Sequence, residues 1–432
     1  MQCDVLVVGS GILGVTSAYY IKKNSPEKEV LLVDMLAGPG SGNTGRSNGM
    51  FRNTFTSLDN QILSESSIDF YLNTQAQGVD LGIQKIGYLW LLGEQKASKY
   101  EKHIERMQEN GLVDIKLYIR RELENLIDFQ PAPTSEESTL MGIEPVSLGI
   151  FGPKCGRLAP EKLVSFYIDM FAKIGGKTLF NCKIERILVS ALESLNIEGE
   201  PFVWQDWLFT SAQFGKDSKI IFKDIVLACG AWLKMLIEPL GFDFQVKSKK
   251  RQIFALSAKN KNSLIRLMNT SGFNELGLLP MIILPVAGIH FKPVVESTEF
   301  WVSCEDEINR EFIDKPMDIS QYRAEEKYFN LNIYPVLKEY FPQFIEPEIK
   351  SMWAGLYAYH LPDYIPFVQK ESNMIVVGGD SGSGIMKADS LGRIVDAVYR
   401  GEEYAELYNG TRYPVERIGT KNRNVEREEW VI

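Results

Sequence analysis

The run Gly9-Ser10-Gly11-Ile12-Leu13-Gly14 constrains this chain more than any other feature, because of its setting. It follows residues 4–8, Asp-Val-Leu-Val-Val, an apolar run enriched in β-branched residues as expected of a strand buried on both faces. From Ile12 to about Lys23 small and apolar residues recur at helical spacing, and Val30 to Val33 then reads as a second strand ending at Asp34. Glycines at G-x-G-x-x-G spacing between a strand and a helix, with an acid ~20 residues further on, form the dinucleotide fingerprint. Gly9 permits the tight turn, Gly11 lets the backbone approach a pyrophosphate, and Gly14 allows close helix–strand packing. Ile12 and Leu13 then place helix N-terminal amides on the phosphates, and Asp34 is set to accept from the ribose hydroxyls.

A chain of 432 residues is long enough for two or three units. Its formal net charge of -9 argues against general affinity for nucleic acid or anionic lipid, so an anionic ligand must meet locally placed positive charge. The five cysteines, Cys3, Cys155, Cys182, Cys229 and Cys304, lie far apart without a C-x-x-C pair. They read as reduced thiols and suggest neither a metal site nor a disulfide framework. No run reaches the ~18 apolar residues of a membrane helix. A cytoplasmic location is expected, with peripheral membrane contact left open.

Further along, 87–92 reads as a strand, 96–126 as exposed helices, 158–173 as an amphipathic helix, and 178–187 and 220–228 as strands. Strand-like stretches at 282–293 and 300–303 and a charged helical section at 320–340 read as a second domain inserted into the first. A last apolar strand at 374–377 runs into a glycine cluster and a helix from about Asp389 to Tyr399. The expected class is α/β, a Rossmann-type dinucleotide domain (1–80, 150–240 and 350–432) interleaved with an α+β substrate domain on a mixed or antiparallel sheet (81–149 and 241–349).

The order of several loose motifs extends this reading: the fingerprint, the 42–49 segment, Gly87-Tyr88-Leu89-Trp90, Gly156-Arg157-Leu158-Ala159-Pro160, Ala228-Cys229-Gly230-Ala231-Trp232, Trp353-Ala354-Gly355-Leu356-Tyr357, Pro362-Asp363, and Gly378 to Gly384. Together they resemble the D-amino-acid oxidase superfamily of flavoenzymes, which includes sarcosine oxidases, glycine oxidase and dimethylglycine dehydrogenase. The resemblance implies FAD. Asn43, Thr44, Arg46, Ser47 and Asn48 would bond the pyrophosphate and flavin edge, with Gly49 giving a backbone amide free approach. Ala228, Gly230, Trp232 and Gly355 fall in the family's other FAD-facing segments. The turn carrying Gly379, Ser381, Gly382, Ser383, Gly384, Ile385 and Met386 would aim amides at the flavin's N1–C2 region. Family members show an aromatic where this chain has Asp380 and a histidine where it has Ser383. The histidine or cysteine by which some relatives attach FAD covalently is missing here, so noncovalent FAD is expected.

On the substrate side, an amino acid requires a cation for its carboxylate. Arg52 stands where sarcosine oxidases carry their carboxylate-binding arginine; its plainer reading is a surface or phosphate-contacting residue. His290 matches the strand lining the family's substrate cavity, on the face opposite Ile289 and Phe291. Tyr357, His360 and Lys387 are further candidates, and Met386 and Trp353 read mainly as packing. The implied activity is oxidation of the C–N bond of an amine or amino acid, of N-methylated glycine type, by hydride transfer to flavin N5. Two alternatives share the scaffold: a 2-hydroxy-acid or glycerol-phosphate dehydrogenase, and a flavoprotein acting only as an assembly factor. The strand after the cavity-lining one has Val302 where sarcosine-type oxidases have a lysine that favours oxygen. A dehydrogenase passing electrons to a quinone, carrier or partner protein is therefore expected, with Lys292 as the substitute should the matching be out of register.

Overall fold

The computed structural model describes residues 1–258, 261–305, 310–421 and 423–430. Two sheets organise the chain. The first has six strands in the order Phe367–Glu371, Met374–Gly378, Asp224–Leu227, Val5–Val8, Val30–Val33, Lys177–Leu179, all parallel except the first. Its central strands are apolar at every position because both faces are covered. Val5, Val7, Val30, Leu32 and Val226 pack with helices Ile12–Asn24, Pro160–Lys173 and Ala388–Arg400. Leu6, Val8, Leu31, Val33 and Ile225 pack instead on a three-stranded sheet built from Arg186–Ala191, Trp207–Phe214 and Ser218–Ile221. This is the expected Rossmann-type unit.

The second sheet has eight strands, ordered Pro347–His360, Val246–Ala258, Glu299–Ser303, His290–Val294, Met281–Ile283, Tyr88–Leu92, Leu148–Gly152, Lys116–Ile119, with one parallel pair, Met281–Ile283 on Tyr88–Leu92. It is the mixed sheet expected of the second unit. One face carries Leu89, Leu91, Phe254, Ile282, Phe291 and Val302, packed on the helical section around residues 326–340. The alternate residues, among them Tyr88, His290 and Lys292, turn towards the first unit. The long strand Pro347–His360 pairs wholly into this sheet.

Three expected elements divide. The run 178–187 is two strands in different sheets, Lys177–Leu179 and Arg186–Ala191, because the chain leaves the parallel sheet to start the hairpin. The run 220–228 splits likewise into Ser218–Ile221 and Asp224–Leu227, and 282–293 holds the two arms of a hairpin. Within 96–126 the four residues Lys116–Ile119 are an edge strand between helices Glu94–Glu109 and Arg120–Leu126. Among the described residues no helix is long and apolar enough to cross a membrane.

Candidate active site

The phosphate turn is built as its glycines require. Gly9 has φ +101°, and a Cβ there would lie 2.5 Å from the Ala228 carbonyl oxygen, while one on Gly14 would lie 1.7 Å from the Gly9 carbonyl oxygen. At Gly11 a Cβ would meet only Thr44 Oγ1, at 3.3 Å, because the turn opens there onto a cavity of about 670 Å³. Thr44 Oγ1 accepts from the Ile12 amide at 3.1 Å. Asp34 also lines the cavity; its Oδ2 accepts from the Ser10 amide (2.6 Å) and hydroxyl (2.8 Å), and its Oδ1 from the Leu36 amide (2.8 Å). The acid thus braces the turn from the ribose end.

Along the cavity wall stand Gly9, Gly11, Ile12, Leu13, Asn43 and Ser47, then Ala228, Gly230 and Trp232, and at the far end Tyr357, Gly382, Gly384 and Ile385. A space of this volume lined by a glycine turn, the ribose acid and a second glycine cluster fits a dinucleotide such as FAD, which the residues present would hold. Sequence reasoning missed Met35, Leu36, Lys183, Glu185 and Pro316 to Asp318 on this wall, since none carries a motif. Cys182 and Cys229 line it too; burial pushes both thiols up, Cys229 to about 12. All five cysteines are free, and Cys229 alone is only half-buried. Among the described residues no group of acids, histidines and cysteines could hold a metal ion.

Several of the residues expected to contact the cofactor also fasten the cradle. The Arg46 guanidinium donates to the Ala354 carbonyl at 2.8 Å, the Arg46 backbone carbonyl accepts from Trp353 Nε1 at 2.9 Å, and Asn43 Oδ1 accepts from the Leu356 amide at 2.8 Å. Gly355 lies against Asn43, where a Cβ would approach Oδ1 to 3.3 Å, and Gly379 lies against His360. Gly14 serves helix–strand packing.

A second, smaller chamber of about 80 Å³ shares Ser47, Tyr357, Gly382 and Ile385 with the large cavity. Its other walls include Asn48, Gly49, Arg52, His290, Ser381, Ser383 and Met386, together with Asn60, Tyr88, Tyr364, Glu428 and Trp430. Both polar atoms of the Asn48 amide are buried without a partner in the protein, a cost of ~1–3 kcal/mol each unless a bound molecule meets them.

Arg52 is buried rather than on the surface. Its guanidinium donates to the carbonyls of Thr54 and Trp430 and sits 4.0 Å from the Phe55 ring centroid. Lys387 is not solvated: it lies fully buried one layer behind the chamber wall, donating to Asn60 Oδ1 at 2.6 Å and to Ser383 Oγ. Burial lowers it to about 7, against the opposing pull of Glu428. His290 faces the chamber while Ile289 and Phe291 point into the core. Its Nδ1 lies 2.9 Å from the Gly288 carbonyl, which can only accept, so Nδ1 carries the proton; burial lowers the ring to about 4 and keeps it neutral.

Val302 belongs to the core, so no lysine could serve the cofactor from that position. Lys292 does reach the loop after the second strand: buried over the Trp301 ring at 4.5 Å, its ammonium donates to the Asn48 carbonyl, and burial lowers it to about 7. His360 and Trp353 lie outside both cavities; His360 is paired with Asp363 at 3.0 Å. Asp380, where relatives carry an aromatic, lines the large cavity, and burial raises its carboxyl.

A family model described as "DAO: FAD dependent oxidoreductase" matches residues 4–397. The chain is 22% identical over 418 residues to FAD-dependent oxidoreductase domain-containing protein 1 of Mus musculus, covering 91% of this chain and 80% of that protein. Among solved structures it resembles L-proline dehydrogenase from P. horikoshii (TM-score 0.74, 18% identity, 97% of each chain). It also resembles glycine oxidase from Geobacillus kaustophilus (TM-score 0.71, 15% identity, 98% of this chain and 99% of that one). With the fingerprint, the cavity it opens onto and a family match over most of its length, the chain belongs to the DAO family of FAD-dependent oxidoreductases.

Proposed function

We propose that this protein oxidises the C–N bond of a small amine or amino acid bearing a carboxylate. The observation that carries the reading is a buried arginine, Arg52, in a chamber that shares four wall residues with the cofactor cavity. Bound FAD would supply the hydride acceptor; the chain's task is to orient the substrate and exclude water. Arg52 would hold the carboxylate, with Lys387 adding charge from behind Ser383 and Asn60. Neutral His290, its Nδ1 proton engaged by Gly288, would present Nε2 as an acceptor to the substrate amine. The enzymes named for proline and glycine that share this fold accord with such a substrate.

His290 also weighs against the 2-hydroxy-acid or glycerol-phosphate reading. An alcohol must lose its proton as hydride leaves, and a histidine held near 4 is a weak base for that step. The electron acceptor turns on Lys292. The reading of a dehydrogenase feeding a quinone, carrier or partner protein rested on Val302, yet Lys292 sets a cation against the loop at Asn48. The deciding experiment is anaerobic mixing with panels of N-methylated glycines, proline-like and primary amino acids, and hydroxy acids, followed by flavin bleaching. Bleaching by amines alone supports the reading; bleaching by hydroxy acids alone overturns it, and bound flavin that nothing bleaches favours an assembly factor.

A further inference from the structure

The small chamber is closed by a segment far from every motif. Residues 423–430 carry no regular structure, yet they are fixed at successive points. Arg423 makes a two-pronged pair with Asp363 (2.5 and 3.0 Å), the Glu428 amide donates to the Asp363 carbonyl (2.9 Å), and Arg427 lies over the Tyr364 ring (4.3 Å). Trp430 packs on Trp90 (5.1 Å) and Tyr100 (4.8 Å).

The segment brings three polar groups inward. The Trp430 carbonyl accepts from Arg52. The Trp430 indole N–H is buried without a partner in the protein, on a side chain that lines the chamber. The Glu428 carboxylate, 2% exposed, takes the amides and hydroxyls of Thr56 and Ser57 (2.9–3.1 Å), the Trp430 amide (2.9 Å) and Asn60 Nδ2 (3.1 Å). Ser57 caps the helix Leu58–Ala76, so the carboxylate sits where free amides and the helix dipole favour negative charge. Burial would raise its pKa, but Arg52 and the amides of Thr56 and Ser57 outweigh that and hold it below the usual range.

An ionised carboxylate only accepts, so Glu428 must take the NH₂ end of Asn60 and leave its oxygen for Lys387. One acid thereby orients the amide that holds Lys387 and stands as counter-charge to Arg52. Of the other titratable groups, Asp380 lines the large cavity and pulls on Lys387, Arg251 stands over the Tyr357 ring, Lys292 lies on the far side of Asn48, Glu305 is raised by burial, Tyr88 and Tyr357 are phenols raised by burial, and His290 is neutral. Below about pH 7, where Lys387 keeps its proton, Arg52 and Lys387 over the Phe55 ring are opposed on this side of the chamber by Glu428, whose charge offsets part of theirs and leaves a net positive charge for a ligand.

We propose that the segment Arg423–Trp430 is a working wall of the substrate chamber and that Glu428 is its positioning residue, setting the chamber to take monocarboxylates in preference to dicarboxylates. The proposal rests on the carboxylate-binding reading of Arg52 given above. The test uses the full FAD-loaded chain and titrates acetate and malonate, neither of which can be oxidised at a C–N bond, against the flavin absorption band. Melting temperature and flavin content establish that each variant is folded. The wild-type protein should prefer acetate, and Glu428→Gln should shift the acetate-to-malonate ratio at least tenfold towards malonate while raising KM for an oxidised substrate more than it lowers kcat. Glu428→Asp, which keeps the charge, should retain the wild-type ratio with weaker acetate binding. A ratio unchanged within twofold in folded Glu428→Gln overturns the proposal while leaving the carboxylate reading intact. Should Glu428→Gln fail to hold flavin, Glu428→Asp decides, since a shifted ratio there is incompatible with a charge role. If neither acid perturbs the wild-type flavin, the carboxylate reading falls and this one with it.

Discussion

Arg52 and Lys387 share the ring of Phe55, with the guanidinium carbon 4.0 Å and the ammonium nitrogen 4.5 Å from its centroid. A buried aromatic face offers both cations a favourable quadrupole where water is excluded. Arg52→Ala should therefore weaken carboxylate substrates by about 1.5–3 kcal/mol, or roughly ten- to a hundredfold in kcat/KM, while flavin content stays unchanged. Steady-state kinetics with the absorption spectrum of each protein checks this. Unchanged kinetics would assign Arg52 to the Thr54 and Trp430 carbonyls alone.

Lys387 predicts a pH dependence. Its charge is present below about 7 and lost above, so binding of an unreactive monocarboxylate should weaken as pH rises through that value and level off where Arg52 acts alone. Lys387→Met should flatten the profile. The fold responds in the opposite sense: burial lowers the lysine from 10.5 to about 7, so an unfolded chain holds its proton more tightly, and this residue's contribution to stability rises with pH across that window. Binding titrations and melting curves across the same buffers read both effects.

Two fingerprint glycines should fail differently. Gly14→Ala drives a methyl into the Gly9 carbonyl and should lower the melting temperature even without flavin. At Gly11 a Cβ meets only the Thr44 hydroxyl, at 3.3 Å, so Gly11→Val should fold and lose flavin, its side chain lying where the pyrophosphate would run. Far-UV circular dichroism beside flavin content separates the two.

Acid precipitation should release all the flavin. The cysteines on the cavity wall lie towards the Asp34 end, and burial keeps their thiols protonated and poorly nucleophilic, with Cys229 held up at about 12. Yellow colour remaining on the washed pellet would contradict this.

In assays below about pH 7, where Lys292 carries its charge, Lys292→Met should slow reoxidation of the reduced protein by air at least tenfold and leave reoxidation by a dye within twofold, because a cation beside the flavin would lower the barrier to superoxide formation. Stopped-flow traces with both acceptors test it. Equal, slow air reoxidation in wild type and variant would favour a dehydrogenase with a separate acceptor.

What the sequence made legible was whatever is local. The turn at Gly9 to Gly14, its flanking strands and the acid at Asp34 are defined within one stretch of chain, where spacing alone carries the geometry. His290 could be placed on the right face because strand alternation is equally local. Lys387 is only one candidate among several in the sequence because nothing nearby reveals that Asn60, more than three hundred residues earlier, supplies its partner. Glu428 and Trp430 sit in a polar terminal stretch that reads as surface; the one hint was a tryptophan among charged residues, which needs somewhere dry to go. The run 178–187 failed for a related reason, since two β-prone halves look continuous until the chain turns from one sheet to another.

The turn that announces the cofactor is only half of a site by itself. Gly9 is locked under the Ala228 carbonyl, and Val5–Val8 has its neighbours at Val30–Val33 and Asp224–Leu227. During synthesis the glycine loop therefore waits for residue 228 before it can set, and non-local closures of this kind are slow compared with helix formation. A fragment of the first eighty residues should be a poor nucleotide binder and an aggregation risk, with the edge of Val5–Val8 left bare.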